Sequence, residues 1–363
     1  MMKVATTTRM PVADPSASSR TAGARKFGAN FRALSPVFIK SIKTRLTRQR
    51  WLYRLLLRLR ASAFGVCEQV SVEVSRISGR TVAIGIDIIS SPEPAGGMKY
   101  ALAACLRFKN EARYLREWIE FHRLFGFEHF YLYNNNSTDN FQEVLQSYIR
   151  DGIVTIHDWP SVPASPGADL HCIETCRHEA RWIAFIDADE FLFTPDGSDI
   201  KAVLAEFEAF PAVAVNWIYF GSSGHERRPE GSVTENYLLR AAKANRHVKS
   251  IVNPRKVIKY ENSHHWFYSR AALAVNEAGE RVYGSFHEPP SVERLRINHY
   301  YSKSAEDFLA KAMMKSWVDR EGARFPSRRE DALQAAVAAN NEIEDTLACR
   351  LARSSGAPGN HAP

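Results

Sequence analysis

The sequence predicts an α/β protein whose central sheet is mostly parallel and carries helices on both faces. Between residues 100 and 193, short apolar runs alternate with helical segments of about 10–15 residues, which is typical of βαβ units. The run Trp182–Ile186 is apolar throughout, as expected of a strand buried on both sides of a parallel sheet. Asp187, Asp189 and Glu190 follow it directly, at the sheet edge where open α/β sheets bind ligands.

These three carboxylates are the main functional signal of the chain. An unpaired carboxylate is costly to bury, so three of them beside a core strand indicate a bound ligand. Hard divalent cations prefer such oxygen ligands. A solvated acidic turn between two strands is the alternative interpretation of the same residues.

The elements before this strand follow from their local patterns. Two β-rich runs, 66–77 and 81–89, predict a hairpin, and the Ser-, Pro- and Gly-rich residues 90–97 predict a linker. The apolar stripe of residues 111–125, closed by Gly126, predicts a helix. The remaining elements expected here are strands at 100–108, 130–133 and 153–157 and helices at 140–150 and 169–180.

The second half of the chain is less regular. Ser304 and Asp307 resemble a capping box and predict a helix over 304–317. An Ala-rich segment predicts a final helix within 321–353, followed by a disordered tail, 354–363. The other expected elements are a helix at 200–210, a strand at 213–220, an irregular stretch at 221–257, a hairpin at 271–283 and a strand at 296–301.

The net charge of +8 belongs to the N-terminal arm. Residues 1–60 contain 14 Lys and Arg but one acidic residue, whereas the rest contains 34 basic and 39 acidic residues. Residues 1–35 lack apolar periodicity and are expected to be disordered. Residues 36–62 interleave apolar and basic residues, which predicts a basic amphipathic helix. Its segment 36–60 is expected to lie on an anionic membrane surface; packing on the protein body is the alternative.

The expected location follows from several sequence features. We find no N-terminal secretory signal with a small-residue cleavage site and no apolar run near the ~20 residues that span a bilayer. The five cysteines are scattered. We therefore expect a cytoplasmic protein, peripheral on the inner face of the plasma membrane. A basic arm without a reading module binds nucleic acid only non-specifically, so no specific nucleic-acid partner is expected.

Polar residues follow three of the predicted strands at the same edge of the sheet. They are residues 109–111, residues 134–139, and the pair Asp187 and Asp189. Neither GxGxxG nor GxxxxGK[ST] occurs, which argues against a dinucleotide redox cofactor and a P-loop NTPase. Without a glycine cradle, a nucleotide diphosphate would need a divalent cation, held by the two aspartates and acting as a Lewis acid.

Several motifs occur in one order along residues 100–320. They are Lys109-Asn110-Glu111, Glu117-Trp118, Gly126-Phe127, Asn136–Asp139, Trp182-x4-Asp187-x-Asp189-Glu190-Phe191, Trp217-x2-Phe220–His225, Lys249–Val252-x-Pro254, His264-His265 and Asn298-His299-Tyr300-x2-Lys303-Ser304. Together they resemble glycosyltransferases of the GT-A fold, in particular glycosyltransferase family 92 and its bacterial family 2-like relatives. The resemblance implies a GT-A domain over 98–320, with a nucleotide-binding half (98–195) and an acceptor half (196–320).

The resemblance also implies roles for the matching residues. Asp187 and Asp189 match the metal-binding pair, and His299 matches a third ligand. Mn²⁺ is the expected ion, because imidazole suits it better than Mg²⁺; Mg²⁺ is the alternative. The resemblance also implies which residues contact the nucleotide-sugar donor: Asn110, Glu111, Asn135, Asp139 and Asp187.

Two further groups have two interpretations each. Lys249 and Arg255 lie in an otherwise acidic body, so they are candidates to contact the diphosphate; solvated charges are the alternative. His264 and His265 could bind diphosphate or metal, or form a structural pair. Relatives often carry a Gln early in the helix before the aspartate strand, but this chain has none there.

The family inverts the anomeric centre, which implies one direct displacement with a carboxylate as general base. The candidates are Glu226, Glu230 and Glu235, all within the stretch expected to be irregular. Glu235 fits the family pattern best. Its alternative role is to start a helix or to pair with Arg240.

These inferences predict a metal-dependent, inverting glycosyltransferase. Its donor would be a nucleotide-diphosphate sugar, with UDP as the expected nucleotide, and its acceptor a glycan or glycolipid in surface polysaccharide synthesis. A catalytically silent, membrane-associated glycan-binding protein is the alternative, and the intact aspartate pair favours the enzyme. A sugar nucleotidyltransferase would need a Gly-rich basic loop after the first strand, which residues 109–111 do not provide.

Overall fold

The computed structural model describes residues 70–77, 80–88, 94, 96–161, 167–269, 272–313, 335 and 337–354. The chain divides into two compact units, 1–53 and 54–363, and every described residue belongs to the second. The predictions for the arm (1–35), the basic helix (36–62) and most of the tail lie outside the described residues. No helix in the described ranges is long and apolar enough to cross a membrane.

Strands and helices alternate in the first half of this part and become less regular in the second. The strands are β1 (Val70–Ile77), β2 (Arg80–Ile88), β3 (Tyr100–Phe108), β4 (His129–Asn134), β5 (Val154–Asp158), β6 (Ala180–Phe185), β7 (Glu190–Phe193), β8 (Ala212–Tyr219), β9 (Leu239–Arg240), β10 (Asn245–Val252), β11 (Val257–Asn262), β12 (His265–Tyr268), β13 (Val275–Asn276), β14 (Arg296–His299) and β15 (Ile343–Glu344). The helices are α1 (Ala112–Leu124), α2 (Phe141–Arg150), α3 (Gly167–Cys176), α4 (Ile200–Ala205), α5 (Val233–Asn236), α6 (Ala305–Met313) and α7 (Leu347–Ser354).

A mixed sheet forms the centre of the described chain. Its strands are ordered β5-β4-β3-β6-β10-β8-β14-β7, and β13 pairs with β8 beside this path. The neighbours from β5 to β6 are parallel, as are β14 and β8. In contrast, β10 and β7 run antiparallel to their neighbours. The mostly parallel sheet is therefore confirmed, and β1 and β2 form the expected antiparallel hairpin.

The sheet is curled, because a short connection joins strands that are far apart in its order. β6 ends at Phe185 and β7 begins at Glu190, with β10, β8 and β14 between them. In a flat sheet, four strand spacings of about 4.8 Å would separate them by about 19 Å. The connection contains a turn in which the Glu190 amide donates to the Asp187 carbonyl (3.0 Å). It can therefore span only about 14 Å, and curling brings the two ends together.

The core lies on both faces of this sheet. Along β3, Leu102, Ala104 and Leu106 pack on one side, and Ala103 and Cys105 pack on the other, as strand alternation requires. Buried side chains of α1 and α2 join the first side, whereas those of α3 join the second. Helices therefore cover both faces, as the sequence predicts.

The stretch 221–257, expected to be irregular, contains a central strand. β10 lies between β6 and β8 and is antiparallel to both. Its sequence, NRHVKSIV, begins with polar residues and contains Lys249, so it lacks the apolar run that marks β6. The expectation of an irregular stretch is therefore wrong for residues 245–252. The sequence does not reveal this strand, because Lys249 can be buried only beside acidic partners that lie elsewhere in the chain. The hairpin of β11 and β12 is also not predicted.

The single C-terminal helix expected within 321–353 is interrupted. Residues 343–344 form β15, which pairs with β9, and α7 begins only at Leu347. Asn340 adopts a left-handed conformation (φ 63°), and the Asn341 amide donates to the carbonyls of residues 337–339. Asparagine favours such turns, so this pair ends the helical segment despite the surrounding alanines.

We expect Gly126→Ala to destabilise the protein more than Gly152→Ala. Both glycines have a positive φ (95° and 71°), so each alanine costs about 1 kcal/mol in backbone strain. At Gly126 the added Cβ would also overlap the Asp199 carboxylate, whereas nothing lies within 4 Å at Gly152. Asp199 caps α4 by accepting from the Lys201 amide (2.7 Å), and losing this cap adds about 1 kcal/mol.

Urea unfolding of the two variants measures this difference. Equal losses in the free energy of unfolding would contradict the packing argument at Gly126.

Candidate functional site

The acidic turn after β6 is held by anchors from two sides. Trp118 on α1 donates its indole N–H to the carbonyls of Asp187 (3.1 Å) and Glu190 (3.0 Å). Within the turn, Glu190 Oε2 accepts from the Asp187 amide (2.9 Å). Glu190 is fully buried, while 32% of the Asp187 side chain is exposed. The turn thus places one carboxylate in the core and offers another to a ligand.

Asp187 is held by two cations from neighbouring strands. Lys249 on β10 is buried, and its Nζ lies 2.7 Å from Asp187 Oδ2 and 3.4 Å from Glu190 Oε2. Arg107 on β3 lies 3.9 Å from Asp187 and 3.1 Å from Asp169 Oδ1. Burial alone would raise the pKa of Asp187, but the charges of Lys249 and Arg107 lower that pKa to about 2. Asp187 is therefore ionised and fixed in orientation.

Asp189 lies between a lysine and a histidine. Lys311 Nζ on α6 is 2.5 Å from Asp189 Oδ2, and His299 Nε2 is 3.6 Å from Oδ1. Burial would raise the pKa of Asp189, but Lys311 and His299 hold that pKa well below its usual range. The curled sheet makes this contact possible, since β14 pairs His299 with Glu190 in register.

Two buried polar atoms near Asp189 lack a hydrogen-bond partner among the described residues. They are Glu190 Oε1 and His299 Nδ1, and they lie 3.9 Å apart. Burial raises the pKa of Glu190 to about 7, although the Lys249 charge opposes the shift. When Glu190 is ionised, its Oε1 can accept from the Nδ1–H of His299, which would leave Nε2 unprotonated and able to bind a cation beside Asp189.

Asp189 and His299 fit part of a divalent-cation site. Across the described ranges, no group of three or more His, Cys, Asp or Glu side chains is arranged to hold a metal alone, so Asp187 does not complete the predicted set of three. Cations that act on phosphates commonly take one or two carboxylates and complete their coordination with phosphate oxygens. A carboxylate beside an imidazole suits Mn²⁺, so the donor set present fits a site completed by substrate.

Glu111 and Lys303 extend the charged cluster beyond the turn. Lys303 Nζ lies 3.8 Å from Glu111 Oε2 and 3.7 Å from the centre of the Tyr114 ring. Burial raises the pKa of Glu111, with Lys303 opposing, and Glu111 also interacts electrostatically with Asp189 and Lys311. The predicted donor residue Glu111 therefore lies beside the candidate metal ligands.

The other residues predicted to contact the nucleotide-sugar donor link the ends of neighbouring strands by hydrogen bonds. Asn110 Oδ1 accepts from the Thr138 amide (2.7 Å), and Asp139 Oδ2 accepts from the Ala112 amide (2.8 Å). Asn135 is buried and donates to the carbonyls of Trp159 and Ser161. These side chains lie at the predicted sheet edge, where they hold the loops that would surround a nucleoside.

The base candidates make contacts outside the charged cluster. Glu235 lies on α5, accepts from Ser232 Oγ (2.7 Å) on Oε2 and pairs through Oε1 with Arg353 of α7 (2.8 Å). The alternative that Glu235 lies in a helix is confirmed, but Arg240 pairs with Asp345 instead. Glu226 is exposed. The assignment of either glutamate as the general base stays a prediction.

The two adjacent histidines fill structural positions. His264 Nδ1 lies 2.9 Å from the Val248 carbonyl, and burial lowers the pKa of His264 to about 4. Its ring also packs against Trp217 (5.2 Å between centres). His265 is buried in β12. These contacts favour the structural interpretation of the pair.

Three charged residues of the cluster are not predicted from the sequence. Arg107 carries a signal, because it is a charge within an otherwise apolar strand. Asp169 lies early in α3 and is buried against Arg107. Lys311 has no local signal, since a lysine on an amphipathic helix is ordinary.

Comparisons with known proteins identify the family to which the chain is similar. The profile of glycosyltransferase family 92 matches residues 101–311. A family 92 protein of Oryza sativa is 30% identical over 233 residues, which cover 61% of this chain and 38% of that protein. Galactan beta-1,4-galactosyltransferase GALS2 of Arabidopsis thaliana is 34% identical over 106 residues, or 26% of this chain and 20% of that protein. The chain thus spans less than half the length of these curated relatives.

Solved structures give a more distant similarity. S. aureus TarS (residues 1–349) in complex with UDP-GlcNAc aligns with a TM-score of 0.35 and 12% identity. The alignment covers 58% of this chain and 64% of that one.

We expect Lys249→Met to lower the free energy of unfolding by about 3 kcal/mol, because it leaves the buried Glu190 and its neighbour Asp187 without their shared cation. Lys201→Met is the matched control. Lys201 pairs with Glu128 (2.7 Å) on the surface, where both side chains are about one-third exposed, and such pairs contribute less than about 1 kcal/mol. Chemical denaturation measures both; similar losses would contradict a central role for Lys249.

Proposed function

Because the chain belongs to glycosyltransferase family 92, we propose that it transfers a sugar from a nucleotide-diphosphate donor to a glycan or glycolipid acceptor. The observation that carries the proposal is the charged cluster after β6. There Asp187 and Asp189 lie at the sheet edge, with Lys249, Lys303 and Lys311 beside them. Such an arrangement suits a diphosphate bound together with a divalent cation.

Asp189 and His299 would hold the cation, with Mn²⁺ as the expected ion and Mg²⁺ as the alternative. When bound, the cation supplies Lewis-acid stabilisation of the leaving diphosphate. Asp187, held ionised by Lys249 and Arg107, can accept hydrogen bonds from donor hydroxyls with its exposed oxygen. Lys303 places an ammonium near the same position, where it would balance the phosphate charge.

The resemblance implies inversion, in which the acceptor hydroxyl attacks the anomeric carbon from the side opposite the diphosphate. A carboxylate base takes the hydroxyl proton in that step. Glu235 is the first candidate and Glu226 the second. For Glu235 to act as the base, its Oε1 must be released from Arg353, whose side chain is 69% exposed and can rotate away.

Aromatic rings beside His299 support a carbohydrate acceptor. The ring centres of Tyr219 and Tyr301, both partly exposed, lie 5.1 and 5.6 Å from that of His299. Trp217, whose ring centre lies 4.6 Å from that of His299, is buried behind them. Nearby, Phe286 packs on His247 (4.6 Å) and remains 46% exposed. Sugar C–H groups pack on aromatic faces, and carbohydrate sites commonly combine such faces with a few polar groups. An acceptor placed there would adjoin the candidate cation.

UDP-galactose is the first donor to test, because GALS2 is named a galactosyltransferase. Mn²⁺ together with UDP should raise the melting temperature more than either alone, and donor hydrolysis should require the metal. Asp189→Asn should lower turnover by about 10²–10³-fold, as loss of one charge-stabilising group does. Asp151→Asn, on an exposed surface pair with Arg150, should leave turnover unchanged.

Screening nucleotide sugars by melting temperature and hydrolysis separates the outcomes. Absence of metal-dependent stabilisation by any nucleotide would contradict the proposal. Binding without turnover, toward water or any glycan, would favour the catalytically silent glycan-binding alternative.

A membrane location completes the proposal. The segment 36–60 would hold the enzyme on the anionic cytoplasmic face of the plasma membrane, next to a growing surface polysaccharide or glycolipid. Deleting residues 1–60 should release the protein from phosphatidylserine vesicles and spare turnover on a soluble acceptor. Sedimentation with vesicles measures this, and unchanged binding would disprove the membrane role.

A further inference from the structure

Lys311 pairs with one oxygen of the Asp189 carboxylate, whose other oxygen faces His299 and would bind the metal. Its Nζ lies 2.5 Å from Asp189 Oδ2, while His299 Nε2 approaches Oδ1 at 3.6 Å. A divalent cation held by Oδ1 and His299 would share this carboxylate with the Lys311 ammonium. The ammonium and the metal would then be close enough to repel each other strongly in this partly buried site.

The Lys311 side chain is free to leave without disturbing the core. It is 42% exposed, whereas Asp189 is 10% exposed. The backbone of α6 is fixed at its start, where Ser304 Oγ accepts from the Asp307 amide (3.0 Å) and Arg228 pairs with Asp307 (2.6 Å). A flexible lysine stem on a fixed helix can move its charge by several ångströms while staying in the site.

The charges of the described cluster are nearly balanced as it stands. Its carboxylates belong to Glu111, Asp169, Asp187, Asp189 and Glu190, and its permanent cations to Arg107, Lys249, Lys303 and Lys311. These five carboxylates and four cations sum to −1; a divalent cation alone would reverse this to +1, and a doubly charged diphosphate alone would take it to −3. The doubly charged diphosphate of a nucleotide sugar and a divalent cation cancel each other, so the pair can enter at little electrostatic cost.

We propose that Lys311 is an internal counter-ion. Its ammonium pairs with Asp189 until metal and diphosphate bind together, and the side chain then moves so that the ammonium pairs with the diphosphate. This inference rests on the proposed function. It makes binding of metal and nucleotide cooperative, because nucleotide gives Lys311 a new partner and thereby frees Asp189 for the metal. Lys311 is a positioning residue for donor binding in this scheme.

The test measures Mn²⁺ affinity of the full chain by electron paramagnetic resonance of free Mn²⁺, with and without UDP. In Lys311→Met without UDP, Mn²⁺ should bind about fivefold more tightly than in the wild type, as expected from removing one partly exposed competing ion pair. The enhancement of Mn²⁺ binding by UDP should shrink correspondingly. Lys311→Arg keeps the charge and should retain the wild-type affinity, and Lys201→Met should behave as wild type.

The outcomes separate this inference from the function on which it rests. Unchanged or weaker Mn²⁺ binding in Lys311→Met, with Mn²⁺ and UDP still binding together to the wild type, would overturn the role of Lys311 alone. Equal tightening in Lys311→Arg would also overturn it, because the charge is then irrelevant. Failure of the wild type to bind Mn²⁺ even with UDP would overturn the metal-dependent donor site itself.

Discussion

The buried ammonium of Lys249 is the interaction on which the site depends. It lies within 3.4 Å of both Asp187 and Glu190. Without it the fully buried Glu190 would lose its nearest cation, at a cost of several kcal/mol, and Asp187 would keep only Arg107. β10, which lies next to β6 in the sheet, supplies that ammonium. The antiparallel strand β10, inserted into a mostly parallel sheet, therefore helps to stabilise an acidic turn at this position.

The elements that the sequence predicts are those whose pattern is local. β6 has an uninterrupted apolar run, and α1 has a clear apolar stripe; both lie where expected. β10 lacks such a run because it contains Lys249. The partner that allows this lysine to be buried, Asp187, lies 62 residues away, so no local pattern marks the strand. The break before α7 shows the same limit, since Asn340 and Asn341 act against the strong helix propensity of the surrounding alanines.

The site divides in the same way. Asp187 and Asp189 are predictable because carboxylates directly after a buried strand are anomalous, and His299 is found through an ordered set of motifs. The contact of Lys311 with Asp189 depends on where α6 packs, which no local pattern encodes. Asn110, Asn135 and Asp139 lie at the predicted edge, but their bonds to neighbouring loops become visible only in three dimensions.

The pairing of β14 with β7 sets an order on synthesis. In the described sheet, β7 pairs only with β14, so the strand that follows the acidic turn waits for a partner made more than 100 residues later. At ribosomal speeds of about 5–20 residues per second, this delay lasts on the order of 10 s. His299 therefore joins Asp189 only after the chain has been made as far as β14. A partly made chain therefore lacks the contact between Asp189 and His299.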